Sequence, residues 1–388
     1  MSTATAQMPW TDHKRYWWLL GSFIMLLPLL GAQLAYATGL SIFWWFAPLF
    51  IYTALPLADW LFGEDRENPS EAQVDELEQD AYYKYAVYFA VPVQLGVFAW
   101  GVWTAATANL GWFELSGLAV SLGGIAGVGI NTAHEIGHKP GELRGWLAKL
   151  ALAPSMYGHF YVEHNRGHHV RVATPEDPAS ARYGESFWGF LPRSVIGAVK
   201  SGWRIEQQRL ARQGHGVWNW RNHNLQAWSI TVLLFGGLTA WAGWWMLGFL
   251  LFQGVYGFSL LEVVNYLEHY GLCRKKLDNG RYERCQPHHS WNSNHIVTNV
   301  FLYHLQRHSD HHANPTRSYQ SLRHFDGLPE LPSGYAGMIL LAYCPPLWFK
   351  VMNPRVVAHH QGDMRGANIK PSIRERVVAE YPGTAAAA

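Results

Sequence analysis

The residues with the clearest capacity for chemistry are histidines. In Leu305-Gln306-Arg307-His308-Ser309-Asp310-His311-His312 three of them fall at i, i+3 and i+4. On a helix those spacings stack side chains over one another, so three imidazoles are expected to converge on one side of one turn. His134-Glu135-Ile136-Gly137-His138 and His164-Asn165-Arg166-Gly167-His168-His169 repeat the device. With His269 they make nine candidate metal ligands.

Neutral imidazole suits zinc, copper, iron and nickel, so ligand type alone does not name the metal. Ligand number is more informative. Nine exceed what one tetrahedral or octahedral ion takes, whereas two ions would hold four or five each and keep room for a substrate. Two open-sited redox metals point to oxygen activation. His134-Glu135-x-x-His138 also matches a zinc metalloprotease helix, but one zinc would leave six clustered histidines unexplained. A carboxylate-type di-iron bundle needs Glu-x-x-His on two helices, and only Glu135 to His138 supplies it. Glu135, Glu163, Glu268 and Asp310 sit beside proposed ligands and are expected to accept the second ring N–H of a ligand, fixing its orientation. His159, His288, His289, His295 and His304 lack the repeated spacing and read as supporting, structural or surface residues. His13, His215, His223, His324, His359 and His360 read as surface residues.

These residues must be positioned by an apolar scaffold. The chain has 388 residues, 20 tryptophans and 15% aromatic content, with few and unevenly placed charges, which points to a membrane. A formal net charge of +2 argues against a nucleic-acid partner. Cys273, Cys285 and Cys344 form no Cys-x-x-Cys pair, which excludes a disulfide framework and a four-cysteine iron centre. Crossing a bilayer takes about 20 apolar residues. Runs of that kind lie at 17–36, 40–62, 84–106, 112–133, 226–246 and 247–266. The first reads as an anchor, not a removed signal. Gly123 and Gly127 form a Gly-x-x-x-Gly pair that favours close helix packing.

Residues 63–81 are acidic and read as a water-exposed loop or surface helix, and 139–225 are comparatively basic. Lys14 and Arg15 precede the first run, and none of the three hairpin turns carries Lys or Arg. Positive residues stay on the cytoplasmic side. The expected fold is therefore all-α: a six-transmembrane-helix bundle with both termini cytoplasmic. Segments 134–225 and 267–388 would form a cytoplasmic helical cap that carries the histidine boxes. Pro345-Pro346 interrupts the apolar stretch from Gly334 to Val351, which reads as re-entrant or interfacial, with a seventh span as the alternative. Thr384 to Ala388 reads as a frayed tail or linker stub.

The histidine boxes and the Asn265-Tyr266-Leu267-Glu268-His269-Tyr270-Gly271 motif together make the chain resemble the bacterial membrane alkane 1-monooxygenases over nearly its whole length. Fatty-acid desaturases and related hydroxylases share three histidine boxes but not that last motif in this form. The resemblance implies a non-haem di-iron site, two Fe ions, that uses O₂ to hydroxylate the terminal carbon of medium-chain alkanes. It implies electrons from rubredoxin, itself fed by a rubredoxin reductase, and a place in the bacterial inner membrane. The implied ligands are His134, His138, His164, His168, His169, His269, His308, His311 and His312. An acyl-lipid desaturase or hydroxylase is the enzymatic alternative. A metal transporter is the non-enzymatic one, disfavoured because the runs are almost free of ionisable residues.

Two further expectations concern substrate and partner. Ala47, Ile51, Ala54 and Ala58 recur at i, i+4, i+7 and i+11 and would either line an alkyl slot, with Ile51 as its stop, or let another helix pack closely. Ile51 lies roughly 12 Å from Asp59 along a helix axis. Arg193, Lys200, Arg204, Arg209 and Arg212 would dock an acidic electron carrier, against a reading in which they meet anionic lipid headgroups.

Overall fold

A computed structural model describes residues 10–383. The stub at Thr384 to Ala388 lies outside the described residues. Helices dominate, and the described residues form only isolated β-bridges and no strand. Six helices are long and apolar enough to cross a membrane: Trp17–Thr38, Ser41–Phe62, Ala81–Thr107, Trp112–Gly137, His223–Ala242 and Trp244–His269. The protein is a membrane protein of the expected all-α class.

The boundary between the fifth and sixth spans differs from the expected 246/247. Gly243 breaks the chain there, with φ of 92°, and Met246 and Leu247 lie inside the sixth span. Continuous apolar sequence hides the turn, and glycine alone permits that backbone cheaply. The stretch from Gly334 also resolves: Tyr335–Tyr343 and Pro345–His359 meet at a 120° bend. Proline at the start of the second helix prevents continuation of the first.

Spans four and six are in direct backbone contact. A Cβ at Gly123 would fall 2.5 Å from the Gln253 carbonyl oxygen, and one at Gly257 would fall 3.0 Å from the carbonyl oxygen of Gly123. The small residues therefore serve packing, as the Gly-x-x-x-Gly pair suggests. Buried polar side chains in the bundle cap backbone carbonyls. The Gln94 amide donates to Ala151 O and the Gln253 amide to Pro154 O, tying in the segment at 151–155.

The first two spans are not uniform α-helices. Span two opens with a 3₁₀ stretch, Ser41–Trp45, and contains a π turn, Phe50–Ala54. A π turn adds a residue per turn and shifts the faces of everything beyond it.

The linkers gather at one end of the bundle. The acidic connection holds a helix, Glu71–Gln79, started by a reciprocal Ser70 and Gln73 cap. It is not simply solvated. Glu71 pairs with Arg323, and Glu78 accepts from the Ser318 backbone N–H and hydroxyl. Arg307 is buried and donates to the carbonyls of Leu322, Asp65 and Glu67. One side chain thus joins the 63–80 connection to the segment carrying the last histidine box.

Candidate metal centre

Four elements deliver the nine histidines. His134 lies in the last turn of span four and His138 caps its end, so i, i+4 spacing holds both on one face. His269 is the last residue of span six. His308, His311 and His312 occupy a short helix, His308–Ala313. His164 to His168 form a π turn, His164–His168, followed by His169. Just before the last box, Tyr303 and His304 both adopt positive φ of 51°. That conformation is costly for residues with a Cβ. It is held where His304 lies 4.6 Å from the Trp18 ring and its Nδ1 lies 3.0 Å from Tyr319 O.

The rings sort into two abutting groups. His134, His138, His164, His169 and His311 form one, and His168, His269, His308 and His312 the other, with ligand atoms in each within 4.8 Å of one another. Secondary structure explains the partition. In the π turn, His164 and His169 are five apart and share a group, while His168 turns to the other. In the last box the three rings do not serve one centre. His308 and His312, at i and i+4, face the four-histidine group, and His311 faces the five-histidine group. The groups touch at His169 and His312, whose ring centroids are 4.4 Å apart.

The donor atoms fit a cation. Nε2 atoms meet at 3.0 Å for His134 and His311, 3.1 Å for His311 and His169, 3.1 Å for His169 and His164, and 3.1 Å for His164 and His138. In the other group the distances are 3.1 Å for His308 and His269 and 2.9 Å for His312 and His308. His168 Nε2 is buried and without a partner. As hydrogen bonds these contacts would need protons and lone pairs to alternate along the chain of rings, whereas a central cation accepts a lone pair from every ring at once. Burial, with mutual repulsion second, pushes His138, His164, His169, His308, His311 and His312 well below the usual imidazole range. They are neutral at ordinary pH, the form that binds metal.

The carboxylates around the rings are only partly those expected. Glu268 Oε1 lies 3.2 Å from His308 Nδ1, although not aligned as a hydrogen bond, and accepts the Tyr335 hydroxyl at 2.8 Å. Glu135 does not meet a ligand ring and instead accepts the Tyr319 backbone N–H at 3.4 Å. Glu163 accepts the backbone N–H of His168 and pairs with Arg171 at 2.7 Å. Asp310 binds Arg317, Asn314 and the Arg323 N–H, bracing the loop beyond the box. Side chains at 135, 163 and 310 leave their helices away from the rings, which adjacency in sequence does not reveal.

The carboxylate that sequence reasoning misses is Asp177, whose Oδ2 accepts from His168 Nδ1 at 2.9 Å. Burial alone would make the Asp177 carboxyl a weaker acid by raising its pKa, but His168 and the Ser180 hydroxyl hold it down at about 2. The same contact offsets the lowering effect of burial on His168, which is raised. The two lie nine positions apart across a turn, so no helical spacing signals them.

None of the remaining histidines joins either group. His159 and His304 are buried and structural. His324 is not a surface residue, being buried with its Nδ1 3.0 Å from the Asn294 amide, while His223, His359 and His360 are half-buried.

An apolar cavity of about 80 Å³ lies among the elements that carry the rings, although no histidine lines it. Its lining includes Asn131, Val264, Leu305 and Tyr335, each within about a turn of a ligand or touching Glu268, and from span two Ile51 and Leu55. Of the expected slot residues Ile51 lines the cavity, and Ala47, Ala54 and Ala58 do not. Leu55, four residues on, shares the face of Ile51, and Ala54 does not reach the cavity. Of the basic residues on the helix Phe187–Ala211 and its cap, Arg193 is paired with Glu185 at 2.7 Å and Arg209 with Glu206 at 2.6 Å. Those two brace the fold, and Lys200, Arg204 and Arg212 alone form an exposed basic face.

Comparison with known proteins accords with this geometry. A family model described as fatty acid desaturase matches residues 110–341. An alkane 1-monooxygenase of Pseudomonas putida is 47% identical over 372 residues, covering 96% of this chain and 92% of its own. Alkane 1-monooxygenase 1 of Alcanivorax borkumensis is 47% identical, covering 94% of this chain and 91% of its own. The hydroxylase component of a xylene/toluene monooxygenase of Pseudomonas putida is 28% identical over 68% of this chain and 71% of its own.

Proposed function

We propose, for a chain that belongs to the alkane 1-monooxygenases within the fatty acid desaturase family, that it hydroxylates the terminal carbon of medium-chain alkanes at a non-haem di-iron site. The observation that carries this reading is the partition of nine imidazoles, seven buried and His138 and His169 half-buried, into five and four, with an apolar cavity among the helices that carry them. The balanced reaction is RH + O₂ + 2e⁻ + 2H⁺ → ROH + H₂O. Two irons, one in each group, would supply reductive activation of O₂. The chain's own residues do the rest. Neutral imidazoles hold the metals, and Asp177 and Glu268 orient His168 and His308. Ile51, Leu55, Val264 and Leu305 give the substrate an apolar wall that excludes water. At about 80 Å³ the cavity is below the roughly 300 Å³ at which ligand pockets begin, so its lining must open to admit a chain.

Electrons come from outside the chain, whose three cysteines are free and whose sequence carries no nucleotide fingerprint, and the family resemblance assigns them to rubredoxin. Hairpin turns without Lys or Arg support a cytoplasmic histidine cap with both termini on that side of the bacterial inner membrane. The test is product analysis with octane, O₂ and reduced rubredoxin. The expected product is 1-octanol. Desaturated or hydroxylated acyl lipid, with no 1-octanol, would replace this reading with that of a lipid desaturase.

A further inference from the structure

A second recess, outside the histidine groups, is tied to one of them. It is a crevice of about 650 Å³ between the loop after span six and the C-terminal segment. Arg274, Lys275, Lys276 and Arg374 are on its walls, with His289 and His360 among its imidazoles. Glu283 is its one lining carboxylate, and it is engaged by the Lys275 backbone N–H at 2.7 Å and by His289 Nε2 at 3.3 Å. Lys275, Lys276 and Arg374 are exposed, and none pairs with a carboxylate among the described residues.

Glu283, His288 and His289 come close enough together to suggest a cation site. The hydrogen bonding argues otherwise. His289 Nδ1 accepts the Gln286 N–H at 2.9 Å, which leaves the proton on Nε2, facing Glu283, with no lone pair for a metal. With cations on the surrounding walls, the crevice suits an anionic partner.

Its inner wall also leads to the four-histidine group. His360 Nε2 lies 3.2 Å from Gly271 O, two residues beyond His269. Trp291, whose ring centroid is 6.3 Å from that of His359, donates its backbone N–H to Glu268 O at 2.8 Å and its indole N–H to Tyr270 O at 3.0 Å. One hydrogen bond, His360 to Gly271, and one ring contact, His359 to Trp291 with its bonds to Glu268 and Tyr270, therefore connect the crevice to the residues on either side of His269.

From this juxtaposition we propose that the crevice docks a small acidic one-electron carrier and that electrons enter through the His269 side of the centre. This rests on the monooxygenase reading, in which the reduction of one oxygen atom to water takes two electrons from outside the chain. The helix bearing Lys200 and Arg204 then has no part in carrier binding.

The test measures the equilibrium affinity of oxidised rubredoxin for the iron-loaded protein in nanodiscs of neutral lipid at low salt. The variants are Lys275→Glu/Lys276→Glu and Lys200→Glu/Arg204→Glu, each checked for unchanged iron content and thermal unfolding. Reversal in the crevice should weaken binding about tenfold or more and flatten its salt dependence, and reversal on the helix should change it by less than about twofold. Unchanged affinity in the crevice variant, or the opposite ranking, overturns the proposal. So does weakened binding to phosphatidylglycerol vesicles with carrier affinity intact, which would make the crevice a headgroup surface. Carrier binding needs no turnover, so a protein that binds rubredoxin at the crevice but makes no 1-alkanol would sink the functional reading and leave the docking site standing.

Discussion

A histidine ligand is only as well placed as its outer ring nitrogen, and here two carboxylates hold that nitrogen in different ways. Asp177 accepts from His168 Nδ1 at 2.9 Å, fully buried and further tied by the Ser180 hydroxyl, whereas Glu268 meets His308 out of alignment and is itself fixed by Tyr335. Asp177→Asn keeps the shape but removes the charge, and should weaken metal affinity by about 10- to 100-fold. Glu268→Gln should cost less, as read by iron retained against a chelator series. Equal retention in Asp177→Asn and wild type would remove Asp177 from the centre. A second residue-scale effect concerns His159, buried with Nε2 unpaired and pushed by burial down to about 4. Its folded value lies below the unfolded one near 6.5, so its neutral form supports the fold above pH 6.5, and that support is lost as pH falls toward 4. The loss is about 3 kcal/mol at most. Thermal unfolding of the metal-free protein between pH 7 and 4 should show a shallower decline in His159→Phe than in wild type. Parallel declines would show that His159 does not titrate with unfolding.

Among elements, the π turns do what a regular helix cannot. At His164–His168 the wider turn splits one box between two groups, and at Phe50–Ala54 a second π turn lies beside Ile51 and Leu55, which share the cavity wall. Spacing in the sequence exposes the boxes at His134, His164 and His308 because each repeats histidine at i, i+4, although in the π turn at His164–His168 that spacing no longer means a shared face. It misplaces Ala54 and Ala58 because a face drawn at 3.6 residues per turn fails beyond a π turn. It misses Asp177 because a turn, not a helix, returns that carboxylate to His168. If Ile51 stops the alkyl chain, Ile51→Ala should lengthen the accepted alkanes and Ile51→Trp should shorten them, at equal iron content. The Leu55→Ala variant should act like Ile51→Ala, while Ala54→Leu leaves the profile unchanged. Identical chain-length profiles across all four variants would put the substrate elsewhere.

At the scale of the whole molecule, spans four and six end at three of the nine histidines and the linkers bring the other six to the same end of the bundle, where the 63–80 connection and the segment after span six interlock through Arg307, Glu71 and Glu78. The six spans were legible from apolar runs of bilayer length. The turn at Gly243 was not, since apolar residues flank it on both sides. The absence of Lys and Arg from the turns predicts their side. In intact cells a cysteine placed at Asn109, in a chain otherwise free of cysteine, should react with a membrane-impermeant maleimide, and one placed at Lys275 should not. Labelling in the reverse pattern would invert the topology.

That account depends most on the five-plus-four partition being a two-metal centre, and iron counting tests this directly. Protein purified after expression in iron-replete medium should hold two irons per chain by elemental analysis. His311→Ala, from the five-histidine group, and His269→Ala, from the four-histidine group, should each lower the count toward one and abolish 1-alkanol formation. One iron per chain in the wild type, or two retained with full activity in the His269→Ala variant, would contradict it.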